Sequence, residues 1–359
     1  MTSLYEKIFE LTKEKLENPR ALYTLNAQVE DFPALPSGIA TIDDCLCGGL
    51  PRGRVIEIYG PEASGKTTVT LHFIAAAQKR DEVVCFIDAE HALDPTYAQR
   101  IGVDFNKLMF SQPDSGEQAL EIVRVLCEMA QQVQEEEQKE ANILVVVDSI
   151  PALIPAELWK IYEKEGFESS NALGAQARML SSKLPMIINK ASKSRVTVVF
   201  INQERDNIGV MYGPKTTTPG GRAIKFFTSL RLRVQRVGYY DVAGERQGIR
   251  TVMTPIKSKL FPIFNRKAEF IIGPNGIDQI ISLVDVAVQL KIITKSGAWL
   301  TFGETKQRGL DTFVEALRND PDVVKSLQEA VKSSGKKLKL PTQEPGDAKQ
   351  VMAQAMKAG

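Results

Sequence analysis

The sequence predicts an α/β fold: a mainly parallel sheet covered by helices, preceded by a helical arm and followed by a small α/β lobe. Three observations carry this. Strand-like apolar runs alternate with helix-length segments between about residues 54 and 202, the pattern of a sheet buried on both faces. One such run passes into a helix pattern through Gly60-Pro61-Glu62-Ala63-Ser64-Gly65-Lys66-Thr67, which fits G-x-x-x-x-G-K-[ST], a phosphate-binding loop. Beyond residue 227 the strand patterns at about 228–236, 250–257 and 267–272 follow one another as hairpins that extend the sheet.

Composition sets the limits. With 359 residues, 43% hydrophobic and 25% charged, the chain has the make-up of an ordinary globular protein with a large core. A formal net charge of +1 means that any contact with nucleic acid must come from local basic surfaces. No apolar run reaches membrane-spanning length and the N-terminus has no signal-peptide pattern, so we expect a cytoplasmic protein with no membrane partner. Cys45, Cys47, Cys85 and Cys127 form no C-x-x-C pair, and Cys85 and Cys127 read as buried free thiols. His72 and His91, the two histidines, leave little room for a histidine-based metal site.

Residues 1–36 read as an arm and linker: Leu4, Ile8, Leu11 and Leu16 recur among Lys and Glu, and Asn18-Pro19 ends the pattern. The core domain is expected over 37–275, with strands at 54–59, 83–87, 107–110, 143–148 and 196–202. Its helices fall at about 65–79, 95–101, 116–139 and 170–193, the last containing Pro185, which should kink or end it. Residues 204–221 are rich in Gly, Thr and Pro without periodicity, a loop long enough to be functional or mobile. A helical lobe with a short strand at 297–302 is expected over 276–334, and a disordered tail over 335–359.

Each residue of the phosphate loop has a physical task. Gly60 and Gly65 permit backbone torsions that side chains forbid, and the loop N–H groups then face an anion at a helix start. Lys66 brings a full charge to the β/γ-phosphates, and the Thr67 hydroxyl can ligate Mg²⁺. Asp148 ends the apolar run 143–148, where a carboxylate can hold the same Mg²⁺ directly or through water. Asp88 and Glu90 end the run from Cys85; Glu90, the further along, is the candidate to orient a water at the γ-phosphate, against a simple helix cap. Gln203 ends the run from Val199 and could sense the γ-phosphate where the long loop starts. Basic residues dominate 170–203 and 204–236, which reads either as a groove for a phosphate backbone or as solvated surface.

These segments together resemble the bacterial RecA recombinase family over roughly residues 37–330. The carriers are 57–68 (EIYGPEASGKTT), 86–95 (FIDAEHALDP), 111–114 (SQPD) with 116–120 (GEQAL), 146–149 (VVDS), 200–203 (FINQ) and 208–211 (IGVM). The resemblance implies a DNA-dependent ATPase that polymerises on single-stranded DNA as a helical filament and pairs it with homologous double-stranded DNA. It implies an ATP site formed by residues 60–68, Thr68 included, with Asp94 and Tyr97 on the adenine side. It also implies Glu90 as the activator of water, Gln203 as the γ-phosphate sensor, and Lys257 and Lys259 as lysines that reach a neighbour's ATP. DNA-binding loops are implied at about 157–175 and 204–221, with Arg178, Arg205, Gly220, Gly221 and Lys225 at or beside the DNA, and Phe226 relaying nucleotide state between subunits. The arm, the segment 157–165, Pro185, Asn207, Pro219 and the tail's Lys336, Lys337 and Lys339 depart from the family pattern, as in a phage-encoded or otherwise unusual member. A ring-forming helicase of the same core and a nucleotide-switched regulator are the competing readings.

Overall fold

A computed structural model describes residues 4–16, 32–165, 174–206, 216–242 and 244–335. The chain separates into two compact units, residues 1–32 and 33–359. In the first, α1 (Leu4–Glu14) buries none of its residues, and the Tyr5 and Phe9 rings stack 6.0 Å apart.

The second unit opens with β1 (Ala34–Leu35), α2 (Ala40–Cys45) and β2 (Leu50–Pro51), the two strands pairing antiparallel. Then come β3 (Val55–Gly60), α3 (Lys66–Gln78), β4 (Val83–Asp88), α4 (Pro95–Ile101), β5 (Leu108–Ser111), α5 (Gly116–Glu137), β6 (Ile143–Asp148), α6 (Ala156–Glu165), α7 (Ala175–Ser194) and β7 (Thr197–Gln203). After β8 (Arg205–Asp206), β9 (Thr216–Thr217) and α8 (Gly221–Phe227), the hairpin β10 (Leu230–Val242) and β11 (Glu245–Ser258) leads to β12 (Ala268–Gly273) and β13 (Gly276–Ile277). A lobe of α9 (Gln279–Gln289), β14 (Thr294–Ser296), β15 (Trp299–Phe302), β16 (Thr305–Arg308), α10 (Leu310–Arg318) and α11 (Pro321–Gly335) completes the described residues.

The main sheet has nine strands in the order β13-β12-β11-β10-β3-β7-β6-β4-β5. From β10 to β5 neighbouring strands run parallel; β11, β12 and β13 are antiparallel additions. All six residues of β3 and of β6 are buried, because helices cover both faces of the parallel half. Helix α3 lies inside, buried on nearly every side even at its polar residues Thr70, His72 and Gln78. Registers bring the chemistry-bearing strand ends level: Gly60 sits opposite Gln203, and Asp88 opposite Asp148.

Three expectations change. Helix α7 does not end at Pro185 but continues to Ser194. Leu184 and Ile187 are buried beside it while Ser181, whose carbonyl loses its partner, is exposed to water, so packing outweighs the lost bond. The segment expected to form the first DNA loop begins with a regular helix, α6. The lobe holds a three-stranded antiparallel sheet where the sequence suggested one short strand. The expected tail, apart from Gly335, lies outside the described residues, as do 17–31 of the arm, Lys336, Lys337, Lys339, and Asn207.

Candidate active site

The site forms where β3, β4, β6 and β7 end, at the carboxyl edge of the parallel strands, the usual ligand position in open α/β sheets. The loop 60–65 must bend sharply between β3 and α3. A Cβ on Gly60 would lie 1.9 Å from the Val234 carbonyl oxygen, and Gly65 adopts φ +96° with Ile272 packed where a side chain would go. Both glycines are therefore sterically required. Inside the loop, Ser64 is 1% exposed and its buried hydroxyl has no partner, close to Gly60. The Lys66 ammonium donates to the Pro61 carbonyl at 2.7 Å, folding back over its own loop. Burial holds its pKa below the ordinary lysine value, with Asp148, Glu90, Glu62 and Glu204 opposing the shift.

Thr67 donates from its hydroxyl to Asp148 Oδ2 at 2.9 Å, so the two residues assigned to a cation meet directly. Asp148 is pushed up from 3.8 to about 7, chiefly by burial; Glu90 and Asp88 add to the rise, and Thr67 and Lys66 oppose it. Such a carboxyl gains strongly from an incoming positive charge. Among the described residues no cluster of three or more His, Cys, Asp or Glu has metal-binding geometry, so a cation here would need phosphate oxygens or water as further ligands.

The two carboxylates after β4 divide their work. Asp88 accepts from the Ala92 N–H at 3.2 Å and from the Gln112 amide at 3.3 Å, holding the turn that follows. Glu90 takes no part in that turn. Its backbone N–H donates to the Asp148 carbonyl at 3.1 Å, while its Oε1 accepts from the Ser149 hydroxyl and, at 3.3 Å, from the Gln203 amide. Glu90 and Gln203, 113 residues apart in sequence, thus touch. Asp94 caps α4 by accepting from the Tyr97 N–H at 3.1 Å, and the Tyr97 hydroxyl meets Thr68 Oγ1 at 3.1 Å. This ties the segment expected beside the adenine to the phosphate helix.

The long loop leaves this edge. Its ends pair as β8 and β9, Arg205 opposite Thr217, and the residues between, 207–215, lie outside the described ones. Gly220 and Gly221 have φ +89° and +71°, and a Cβ on each would press at 2.8–2.9 Å on Leu180 and Ala177 of α7, the helix that carries exposed Arg178. Both glycines thus fit a close packing against α7. Lys225 donates to Thr217 Oγ1 at 3.0 Å, and Lys257 donates to the Lys225 and Phe226 carbonyls at 2.8 Å each. Burial, with Lys259 and Arg231 nearby, holds the Lys257 pKa below the ordinary value. Lys259 and Phe226 are exposed.

Part of the basic groove suggested by charge count dissolves. Arg231 pairs with buried Glu57, Arg233 with Glu204 at 3.0 Å, Lys190 with Glu128 at 2.7 Å, and Arg195 with Glu140. Sequence reasoning missed Glu57, Ser149 and Asn202. Ser149 stood in plain view beside Asp148; the other two carry no periodic signal.

Two family descriptions match: RecA N-terminal domain over residues 11–278 and RecA C-terminal domain over residues 281–336. The chain belongs to the RecA family. It is 43% identical over 303 residues to Protein RecA of Acholeplasma laidlawii strain PG-8A, covering 84% of this chain and 87% of that one. It is 44% identical over 323 residues to Protein RecA of Symbiobacterium thermophilum, with 88% of each covered. Protein RecA of Aquifex pyrophilus is 41% identical over 323 residues, covering 89% and 88%. As a RecA-family member this is a DNA-binding, ATP-binding recombinase, a DNA-dependent ATPase that assembles into filaments. Among the described residues no helix is long and apolar enough to cross a membrane.

Proposed function

We propose that this chain polymerises on single-stranded DNA with bound MgATP, pairs that strand with homologous double-stranded DNA, and hydrolyses ATP at sites completed by neighbouring subunits. The observation that carries the reading is the convergence of Lys66, Thr67, Asp148, Glu90 and Gln203 on one sheet edge next to the loop 204–221. The loop 60–68 holds the triphosphate, and Lys66 leaves the Pro61 carbonyl for the β/γ-phosphates. Thr67 and Asp148 would hold Mg²⁺, which would neutralise phosphate charge. Glu90, fixed by Ser149, accepts a proton from the attacking water, and Gln203 exchanges its contact with Glu90 for the γ-phosphate.

Asp94 and Tyr97 flank the adenine. Lys257 and Lys259 serve the ATP of an adjacent subunit, and Phe226, exposed and bonded through its carbonyl to Lys257, reports on that contact. Arg178, Arg205, Gly220, Gly221 and Lys225 lie at or beside the DNA. In domain terms, 37–275 is the ATPase core, 276–334 the lobe, and 1–36 an arm for self-association.

A D-loop assay tests the whole reading. With ATP, Mg²⁺ and single-stranded DNA, product should form on a homologous supercoiled duplex and not on a heterologous one. Equal product on both, or product without ATP, would remove the strand-exchange assignment.

A further inference from the structure

Glu57 lies inside the all-buried strand β3 and is itself 0% exposed. A carboxylate in such a place needs partners on every face it presents. Arg231 on the neighbouring strand β10 donates through Nε to its Oε2, with the guanidinium held 4.5 Å over the Tyr59 ring. Asn202, on the strand at the other side, donates from Nδ2 to Glu57 Oε1 at 2.8 Å.

The Asn202 amide has its direction set by chemistry. The two groups that face its nitrogen, the Glu57 carboxylate and the Pro219 carbonyl at 3.1 Å, only accept. Its oxygen therefore turns to the backbone N–H of Gln203, at 2.9 Å. One fully buried side chain thus holds both the strand end that carries Gln203 and the far end of the loop, 17 residues onward. Pro219 has no N–H and a fixed φ, so its carbonyl is the polar group it can offer. It directly precedes Gly220 and Gly221, which pack on α7.

We propose that Asn202, aimed by Glu57 and Arg231, is a positioning residue that couples Gln203 to the exit of the DNA loop at Pro219. This rests on Gln203 acting as the γ-phosphate sensor. A shift of the Gln203 backbone toward phosphate is transmitted through the Asn202 amide to Pro219, and from there to the glycines at the start of α8.

The test reverses donor and acceptor in the buried pair. Asn202→Asp alone sets a second carboxylate against Glu57 and lowers the melting temperature. Adding Glu57→Gln restores the pair at constant charge: the new amide at position 57 accepts from Arg231 and donates to the new carboxylate at position 202. That carboxylate still accepts from the Gln203 N–H, but it cannot donate to Pro219. The double variant should therefore melt within a few degrees of the wild type, while ATP hydrolysis stimulated by single-stranded DNA falls at least tenfold. Stimulation that returns together with the melting temperature means that the pair only holds the sheet, and overturns the proposal.

Gln203→Ala, run alongside, separates the two layers. Lost stimulation there with full stimulation in the double variant overturns the Asn202 link alone; stimulation retained in Gln203→Ala overturns the sensor and the link together. Should the double variant fail to fold, hydrogen exchange on the wild type decides. A non-hydrolysable ATP analogue should slow amide exchange at residues 203–204 and at 218, 220 and 221 by similar factors, and slowing at the first without the second overturns the coupling.

Discussion

Replacing His72 by glutamine should flatten the acid limb of this protein's stability profile. His72 sits on α3, the helix that rises from the phosphate loop, and is 4% exposed. Its Nε2 accepts from the Ile277 N–H at 2.8 Å, and a Cβ on Gly276 would lie 2.7 Å from that nitrogen. Burial, with a small contribution from Lys79, lowers its pKa from 6.5 to about 4. The folded value lies below the unfolded one, so the stability held by the neutral ring is present above pH 6.5 and is lost as pH falls through 4. Linkage puts the loss between pH 7 and pH 4.5 at about 2 kcal/mol from this group.

In His72→Gln, the amide oxygen can accept from Ile277 and has no proton to gain. Urea unfolding followed by circular dichroism, without nucleotide, measures both proteins at the two pH values. Carboxylates that also titrate contribute equally to each and cancel in the difference. The wild type should lose about 2 kcal/mol more than the variant. Parallel acid limbs would refute the argument that the ring is buried neutral.

Three further outcomes are expected. Lys66→Ala should lower ATP turnover at least a hundredfold, since the charge that meets the phosphates in the transition state is gone; turnover within about threefold of wild type would contradict the loop assignment. Mixing two inactive proteins, Glu90→Ala and Lys257→Ala/Lys259→Ala, on single-stranded DNA should restore part of the ATPase at interfaces that join an intact Glu90 to intact lysines. No recovery despite co-assembly shown by crosslinking would rule out a shared site. Affinity for single-stranded DNA should fall steeply between 50 and 200 mM salt, and Arg178→Ala or Arg205→Ala should reduce that slope; an unchanged slope would take these residues off the phosphate backbone.

The parts legible in the sequence were those whose signal is local. The loop 60–67 spells its own geometry, and the runs 143–148 and 83–88 announced buried strands with carboxylates at their ends. What could not be read is non-local. Nothing near Glu57 says that its partners are Asn202, 145 residues on, and Arg231, 174 residues on. Counting charges misjudged Arg231 and Arg233 because a basic residue on a strand edge can face an acid as readily as solvent. Pro185 does not end α7, because the rule for proline in a helix concerns one hydrogen bond, whereas α7 is held by a row of buried side chains on its other face.

Lys257 rests against the last carbonyls of α8, at 2.8 Å from two of them. A cation at a helix C-terminus is favourable, by roughly 0.3–1 kcal/mol when partly exposed. If the same ammonium must reach a neighbour's phosphate, it has to abandon that berth, and the helix beginning at Gly221 loses its terminal counter-charge in the same event. Joining the polymer and loosening α8 are then one transaction. A lone subunit would keep both its lysine and its helix at rest.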